Sequence, residues 1–362
     1  QKLQNESVLF DLVAKKLKYK DVNDMISKMQ SMDKNEGTSK IMNGIAEVMD
    51  DEMKKEENYT QVSATVNMEK INGKWQIKDL NEQIKNIEII FKFITSHYKI
   101  KGKTMFVEKE NHFYIEEFEK LGVKAIYTKK NAGNMSDYCP IENQIEGIQK
   151  ENRKKLLEQF VFENKKSVMA FQTHSANVFV IDENTKKYYY EKECDIDGFL
   201  TKRKDVAIFT FYADCLPIFV YDKKNKVIGV WHSGWPGTFK EMMKSGLDKM
   251  KEIYQTDPKD VLMGLGIGMQ QKYYEVGMEF YEKFSDKFGK ESELIKKSFC
   301  WNEKTKKYHF DNTKFNEIMA LKLGILKENL IVSNEDTFNP KFHSYRREGK
   351  MSGRATAMIS FI

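Results

Sequence analysis

Three residues of this chain stand where short apolar runs give way to polar turns: His174 within FQTHS, Cys215 within ADCLP and His232 within VWHSG. One thiol and two imidazoles can hold a zinc ion and leave its fourth position open, the arrangement of a catalytic rather than a structural site. Water in that position has its pKa drawn down towards ~7 and becomes a usable nucleophile. The same side chains offer a second chemistry, a Cys215 thiolate activated by a neighbouring imidazole. Both chemistries need the same three residues. A plainer reading stands beside them, because the chain holds six His and four Cys without a CxxC or HExxH pattern, and such residues are commonly core fillers. Small and rigid residues next to the ligands favour a site: Pro217 follows the cysteine, and Gly234, Pro236 and Gly237 follow the histidine. Glycine lets backbone approach a ligand closely.

The elements that must position these groups are read from hydrophobic period. Residues 206–212 and 227–231 are rich in Val, Ile, Phe and Tyr and bounded by polar turns, so they are expected to be two neighbouring buried strands that deliver the thiol and the imidazole to one sheet edge. A further strand is expected over residues 178–181, just after His174. Residues 238–254 carry Phe239, Met242, Met243, Leu247 and Met250 on one helical face, a stripe that belongs to a core. A strand over 261–267, a helix over 278–288 and a final strand over 355–362 complete the pattern. Strands alternating with helices of this length place the chain in the α/β class, with mixed sheets covered by helices. Before the last strand, Arg346, Arg347 and Arg354 are separated by Gly349 and Gly353. Arginine supplies a planar fork for phosphate or carboxylate, and a solvated turn is the alternative.

The first 95 residues read differently. Leu9, Leu12, Val13 and Leu17, and again Ile41, Ile45, Val48 and Met49, fall at helical spacing. Val62, Ala64, Val66 and Met68 then alternate up to Asn72-Gly73, with Trp75 and Ile77 on the return, a hairpin signal. Residues 1–95 are therefore expected to form a small α+β domain, loosely similar to those of bacterial surface lipoproteins, and residues 103–362 the catalytic domain. A connecting helix is expected over residues 83–97. At 362 residues, with 40% hydrophobic content, the chain has room for two cores. Charged residues make up 31% and the net charge is +6, but the two signs are interleaved and no arginine-rich arm appears, so a nucleic-acid surface is not expected. No run approaches the ~18 apolar residues of a membrane span. Four unpaired-looking cysteines suggest a reducing, cytoplasmic setting, although the chain opens on Gln1 and leaves room for a removed leader.

Six blocks, in order, resemble one known family: QTHS at 172–175, DIDGFLT at 195–201, ADCLP at 213–217, WHSGWPGT at 231–238, GIGMQQKYYEVGMEF at 266–280 and SYRREGKMSGRA at 344–355. The family is YfiH/PgeF, also known as the laccase-domain or FAMIN-like proteins. The resemblance implies a YfiH-like α/β fold with the site at strand ends, and a purine nucleoside phosphorylase acting on adenosine, inosine, guanosine or methylthioadenosine with phosphate, with adenosine deaminase activity. It also implies a metal, zinc or copper, on His174, Cys215 and His232, and a phosphate site among Arg346, Arg347 and Arg354. Six histidines are too few for a multicopper oxidase, so the laccase label is discounted. A cysteine hydrolase or amidase editing peptidoglycan precursors, or a non-catalytic nucleoside-binding module, would use the same residues. The sequence departs from the family at residues 127–138, where YTKKNAGNMSDY is shorter than the usual glycine-rich loop and lacks its arginine. It departs again at Gln271, Lys272 and Tyr273, where relatives often carry cysteine, and at His343, where an aromatic residue is usual and a further imidazole near the site is expected.

Overall fold

The computed structural model describes residues 14, 15, 17–20, 24, 28, 106–137, 145–185 and 195–362, and the backbone of 68–71 and 74–77. The chain divides into two units, Gln1–Lys101 and Gly102–Ile362. In the first, strands Met68–Ile71 (β1) and Lys74–Ile77 (β2) pair antiparallel with Ile71 opposite Lys74, the two-residue connection that Asn72-Gly73 predicts. The alternating residues before Met68, the second predicted helix and the expected helix over 83–97 lie outside the described residues. Of the first predicted helix, Ala14 and Lys15 are helical.

The second unit is built on two six-stranded sheets. In chain order its strands are Phe106–Glu108 (β3), His112–Ile115 (β4), Val123–Thr128 (β5), Lys166–Val168 (β6), Val178–Ile181 (β7), Gly198–Thr201 (β8) and Val206–Tyr212 (β9). They continue with Leu216–Asp222 (β10), Val227–Ser233 (β11), Val261–Leu265 (β12), Glu275–Val276 (β13), Phe299–Asn302 (β14), Lys307–Phe310 (β15), Leu330–Val332 (β16) and Ala355–Phe361 (β17). One sheet runs β3-β4-β5-β17-β9-β6 and the other β16-β12-β10-β11-β8-β7, while β13, β15 and β14 form a small third sheet.

Side-chain alternation along each strand explains the layers. On β9, Val206, Ile208 and Tyr212 join Phe219, Tyr221, Ile228 and Val230 of the second sheet in one core between the sheets. The intervening Ala207, Phe209 and Phe211 pack outward against Leu156 and Leu157 of the helix Ile148–Gln159. On β10, Leu216, Ile218 and Val220 turn the other way, into a third cluster with Met242, Met243, Leu247 and Met250. Every residue of β9, β10, β11 and β17 is buried, which is why these segments read as continuous apolar runs. Helices and sheets together form the α/β architecture expected.

Two expectations are corrected. Residues 206–212 and 227–231 are not neighbours in one sheet: β9 pairs with β17 and β6, whereas β11 pairs with β10 and β8. The strand between them, Leu216–Asp222, makes the hairpin with β11, so Cys215 lies where the chain passes from one sheet to the other. The single helix expected over 238–254 is two, Trp235–Phe239 and Met242–Tyr254, because Glu241 takes a left-handed φ of 63° between them. Among the described residues no helix is long and apolar enough to cross a membrane.

Candidate active site

His174, Cys215 and His232 converge although they arrive on three different elements, and their ligand atoms all lie within 4.8 Å of one another. His174 belongs to the loop that leads into β7 and has a left-handed φ of 60°. His232 is the sixth residue of β11 and is buried. Cys215 follows Asp214, whose φ of 90° turns the chain between the sheets. Gly234 makes the convergence possible, since a Cβ there would stand 2.7 Å from both Cys215 Sγ and His174 Cδ2.

Asp197, at the entrance to β8, holds the cluster together. It is fully buried and accepts from the backbone N–H of Thr173 at 3.0 Å, His174 at 3.0 Å and Ser175 at 2.8 Å, and from the Ser175 hydroxyl at 2.8 Å. It also accepts from His232 Nδ1 at 2.7 Å, which leaves Nε2 as the imidazole's ligand atom. Burial alone would raise the Asp197 pKa, but the His232 bond and charge and the Ser175 N–H outweigh it and hold the carboxyl at about 2. For Cys215 burial again opposes ionisation, and the His232 charge and the His174 hydrogen bond overcome it, so the thiol is drawn down. His232 is correspondingly drawn up: desolvation disfavours its charge, and the Cys215 and Asp197 charges prevail. The site thus favours a thiolate.

That donor set fits one small ion. Two ligands at zinc–sulfur and zinc–nitrogen distances of about 2.3 and 2.05 Å on a tetrahedral angle stand about 3.6 Å apart, and Cys215 Sγ and His174 Nε2 are 3.6 Å apart. It does not fit a multicopper cluster, because the other described imidazoles are engaged elsewhere. His112 is bonded to Asn111, His309 to the Gln271 carbonyl and His343 to the Gly133 carbonyl.

The three side chains open on a cavity of about 670 Å³. Phe211, Trp235, Tyr274 and Phe280 give it aromatic walls, and Arg346 and Arg354 line it too. The arginines are separated by the structure. Arg346 donates to the Glu275 carbonyl at 3.2 Å and lies 5.6 Å from the Tyr274 ring, with its backbone N–H on Asp214 Oδ2 at 2.7 Å. Arg354 donates to the Ser352 and Gly353 carbonyls at 2.7 and 3.0 Å and lies over Tyr345. Arg347, expected beside them, points away: its guanidinium is engaged by the carbonyls of Thr337, Phe338 and Phe342 and by Glu348, and it does not line the cavity. Nor does His343, which is buried against Gly353. The described part of the departing loop, residues 127–137, stays close to the site, where Ser136 lines the cavity and Asn134 Oδ1 receives the Arg354 N–H at 2.9 Å. Arg153 supports it through the Met135 carbonyl and Asp137.

Asp197 lies within DIDGFLT but is not among the candidate site residues that the sequence singles out. Its one signal is an acid standing directly before a strand whose four residues are all buried.

The model of the family described as multi-copper polyphenol oxidoreductase laccase matches residues 124–362. A purine nucleoside phosphorylase of Borreliella burgdorferi is 29% identical over 239 residues, covering 66% of this chain and 93% of that protein. Purine nucleoside phosphorylase YlmD of Bacillus subtilis is 26% identical over 218 residues, 58% of this chain and 75% of that one. Among solved structures, Bacillus licheniformis hypothetical protein YfiH superposes with a TM-score of 0.63 at 22% identity, over 71% of this chain and 98% of that one. YlmD of Geobacillus stearothermophilus gives 0.62 at 20%, over 71% and 99%. With two sheets of the YfiH architecture and a family match over most of its length, this chain belongs to the laccase-domain family of YfiH and YlmD.

Proposed function

We propose that this chain is a metal-dependent purine nucleoside phosphorylase, cleaving adenosine, inosine, guanosine or methylthioadenosine with phosphate, and that it also deaminates adenosine. The observation that carries the reading is the cavity itself, which sets aromatic walls, two arginines and the His-Cys-His cluster around one space of about 670 Å³. Phosphorolysis forms a bond from a phosphate oxygen to C1′ of the ribose and breaks the bond from C1′ to N9, the electron pair leaving with the base, which takes up a proton. Arg346 and Arg354 are suited to hold the phosphate, because a guanidinium binds such oxygens through paired N–H donors. Trp235, Phe280 and Tyr274 provide flat apolar surface for a base and keep water from it. His174, Cys215 and His232 would hold the metal, with Asp197 fixing the His232 tautomer. A zinc ion so held supplies a Lewis acid and a water activated near neutral pH. The curated relatives named purine nucleoside phosphorylase support the activity. The proposed setting is cytoplasmic, where Cys215 stays reduced.

One observation favours a second reading. Cys215 beside His174, with His232 oriented by Asp197, also forms a nucleophile, base and orienting acid, as in a cysteine hydrolase or an amidase acting on peptidoglycan precursors. The readings separate on incubating the protein with each nucleoside and phosphate before and after chelation. The phosphorylase releases free base only when phosphate is present, loses activity with its metal and regains it on zinc addition. Cys215→Ser loses metal and turnover together, while Cys300→Ser, at an exposed position, keeps both. Cys139 and Cys194 lie outside the described residues. Activity that survives chelation and is abolished by alkylating Cys215 would favour the hydrolase.

A further inference from the structure

Among the described residues two carboxylates line the cavity, and they are not alike. Asp214 has both oxygens taken, one by the Thr337 hydroxyl at 2.7 Å and the other by the Arg346 N–H at 2.7 Å. The Gln172 carboxamide is closed in the same way, its oxygen accepting from Phe211 N–H at 2.7 Å and its nitrogen donating to the Phe211 carbonyl at 2.9 Å. Glu279 is different. It is the second residue of the helix Met278–Phe288, it is exposed, and it has no hydrogen bond or ion pair to any described residue. Its carboxylate folds back over Gly277, where a Cβ would stand 2.3 Å from either oxygen, so the glycine leaves the room that the carboxylate occupies.

Its neighbours say what it faces. Phe280 is the next residue and meets Trp235 at 5.2 Å in an edge-on contact, and both rings line the cavity with Glu279. A base held against such rings presents its polar edge to whatever stands at their border. A carboxylate is acceptor-only. Inosine and guanosine carry an N–H at N1, and guanosine a second donor at its 2-amino group, whereas adenosine presents a bare lone pair at N1.

We infer that Glu279 reads the base edge by accepting from N1–H, and so makes this site favour 6-oxopurine nucleosides over adenosine; this rests on the phosphorylase reading above. Glu279→Gln places a donor and an acceptor where only acceptors stood, and Gly277→Ala displaces the carboxylate without altering its chemistry. Steady-state phosphorolysis of inosine, guanosine and adenosine is to be measured for the full chain and both variants, with melting temperature and bound metal recorded for each. The ratios of kcat/KM for inosine and for guanosine to that for adenosine should fall about tenfold or more in Glu279→Gln, the scale of one charge-assisted hydrogen bond. Gly277→Ala should move them the same way. Equal loss on all three nucleosides would mean a contact to the ribose or to the fold, and an unchanged ratio no contact at all; either overturns the inference while leaving the phosphorylase reading in place. An unaltered protein that cleaves none of the three would overturn both.

Discussion

Side chains adjacent in sequence need not share a task, and Arg346 and Arg347 show why. They are the second and third residues of the one-turn helix Tyr345–Glu348, where successive residues point about 100° apart. Arg346 is therefore directed to the cavity and Arg347 into a ring of backbone carbonyls. Arg346→Ala should raise KM for phosphate roughly ten- to a hundredfold, from the loss of ~1.5–3 kcal/mol, and change KM for the nucleoside little. Arg347→Ala should instead lower the melting temperature, since the carbonyls of the buried Thr337 and Phe342 and the half-buried Phe338 lose their donor. Equal effects of the two on phosphate KM in steady-state assays would contradict this division. The convergence of His174, Cys215 and His232 was legible in the sequence because thiol and imidazole are rare, chemically distinctive groups flanked by Gly and Pro. Asp197 was not, because an acid directly before a strand is a weak mark among 54 acidic residues, and its burial is set only when the Thr173–Ser175 backbone closes around it. Helix phase decided the arginines, and no local signal gave that phase in so short a turn.

Helix Met242–Tyr254 and strand β11 show how closely the elements behind the site must pack. Gly246 sits against Trp231, the residue before His232, and a Cβ there would lie 2.5 Å from the indole Cζ2. Two effects of Gly246→Ala compete. Helix propensity improves by about 1 kcal/mol, whereas overpacking a full core costs about 1–3 kcal/mol. Trp231 is fully buried and has nowhere to retreat, so the second should win. A melting temperature lowered by several degrees in calorimetry is expected, and a raised one would show that the indole can move. The Met stripe and the individual strands were readable from period, because each depends on residues within one turn or pleat. Their pairing was not. β9 finds β17 with Phe209 opposite Met358, across a sequence distance at which local apolar pattern says nothing about partners.

At the scale of the molecule, every residue discussed for chemistry lies in the unit Gly102–Ile362. We expect a chain lacking residues 1–101 to fold and retain nucleoside turnover, measured as kcat/KM beside the full chain; an insoluble or inactive product would count against an independent catalytic unit. Topology within that unit carries a further consequence. Strand β17 is hydrogen-bonded on both sides, to β5 by way of Ala357 and Tyr127 and to β9 by way of Ala357 and Thr210. On the ribosome, therefore, β5 and β9 emerge as two open edges that have no partner until residues 355–361 are synthesised, and bare edges of this kind invite pairing with other chains. Arg354, which enters the cavity one residue before β17, arrives in that same closing segment. Completion of the sheet and of the cavity wall that holds Arg354 therefore come together, after the thiol and imidazoles have been synthesised.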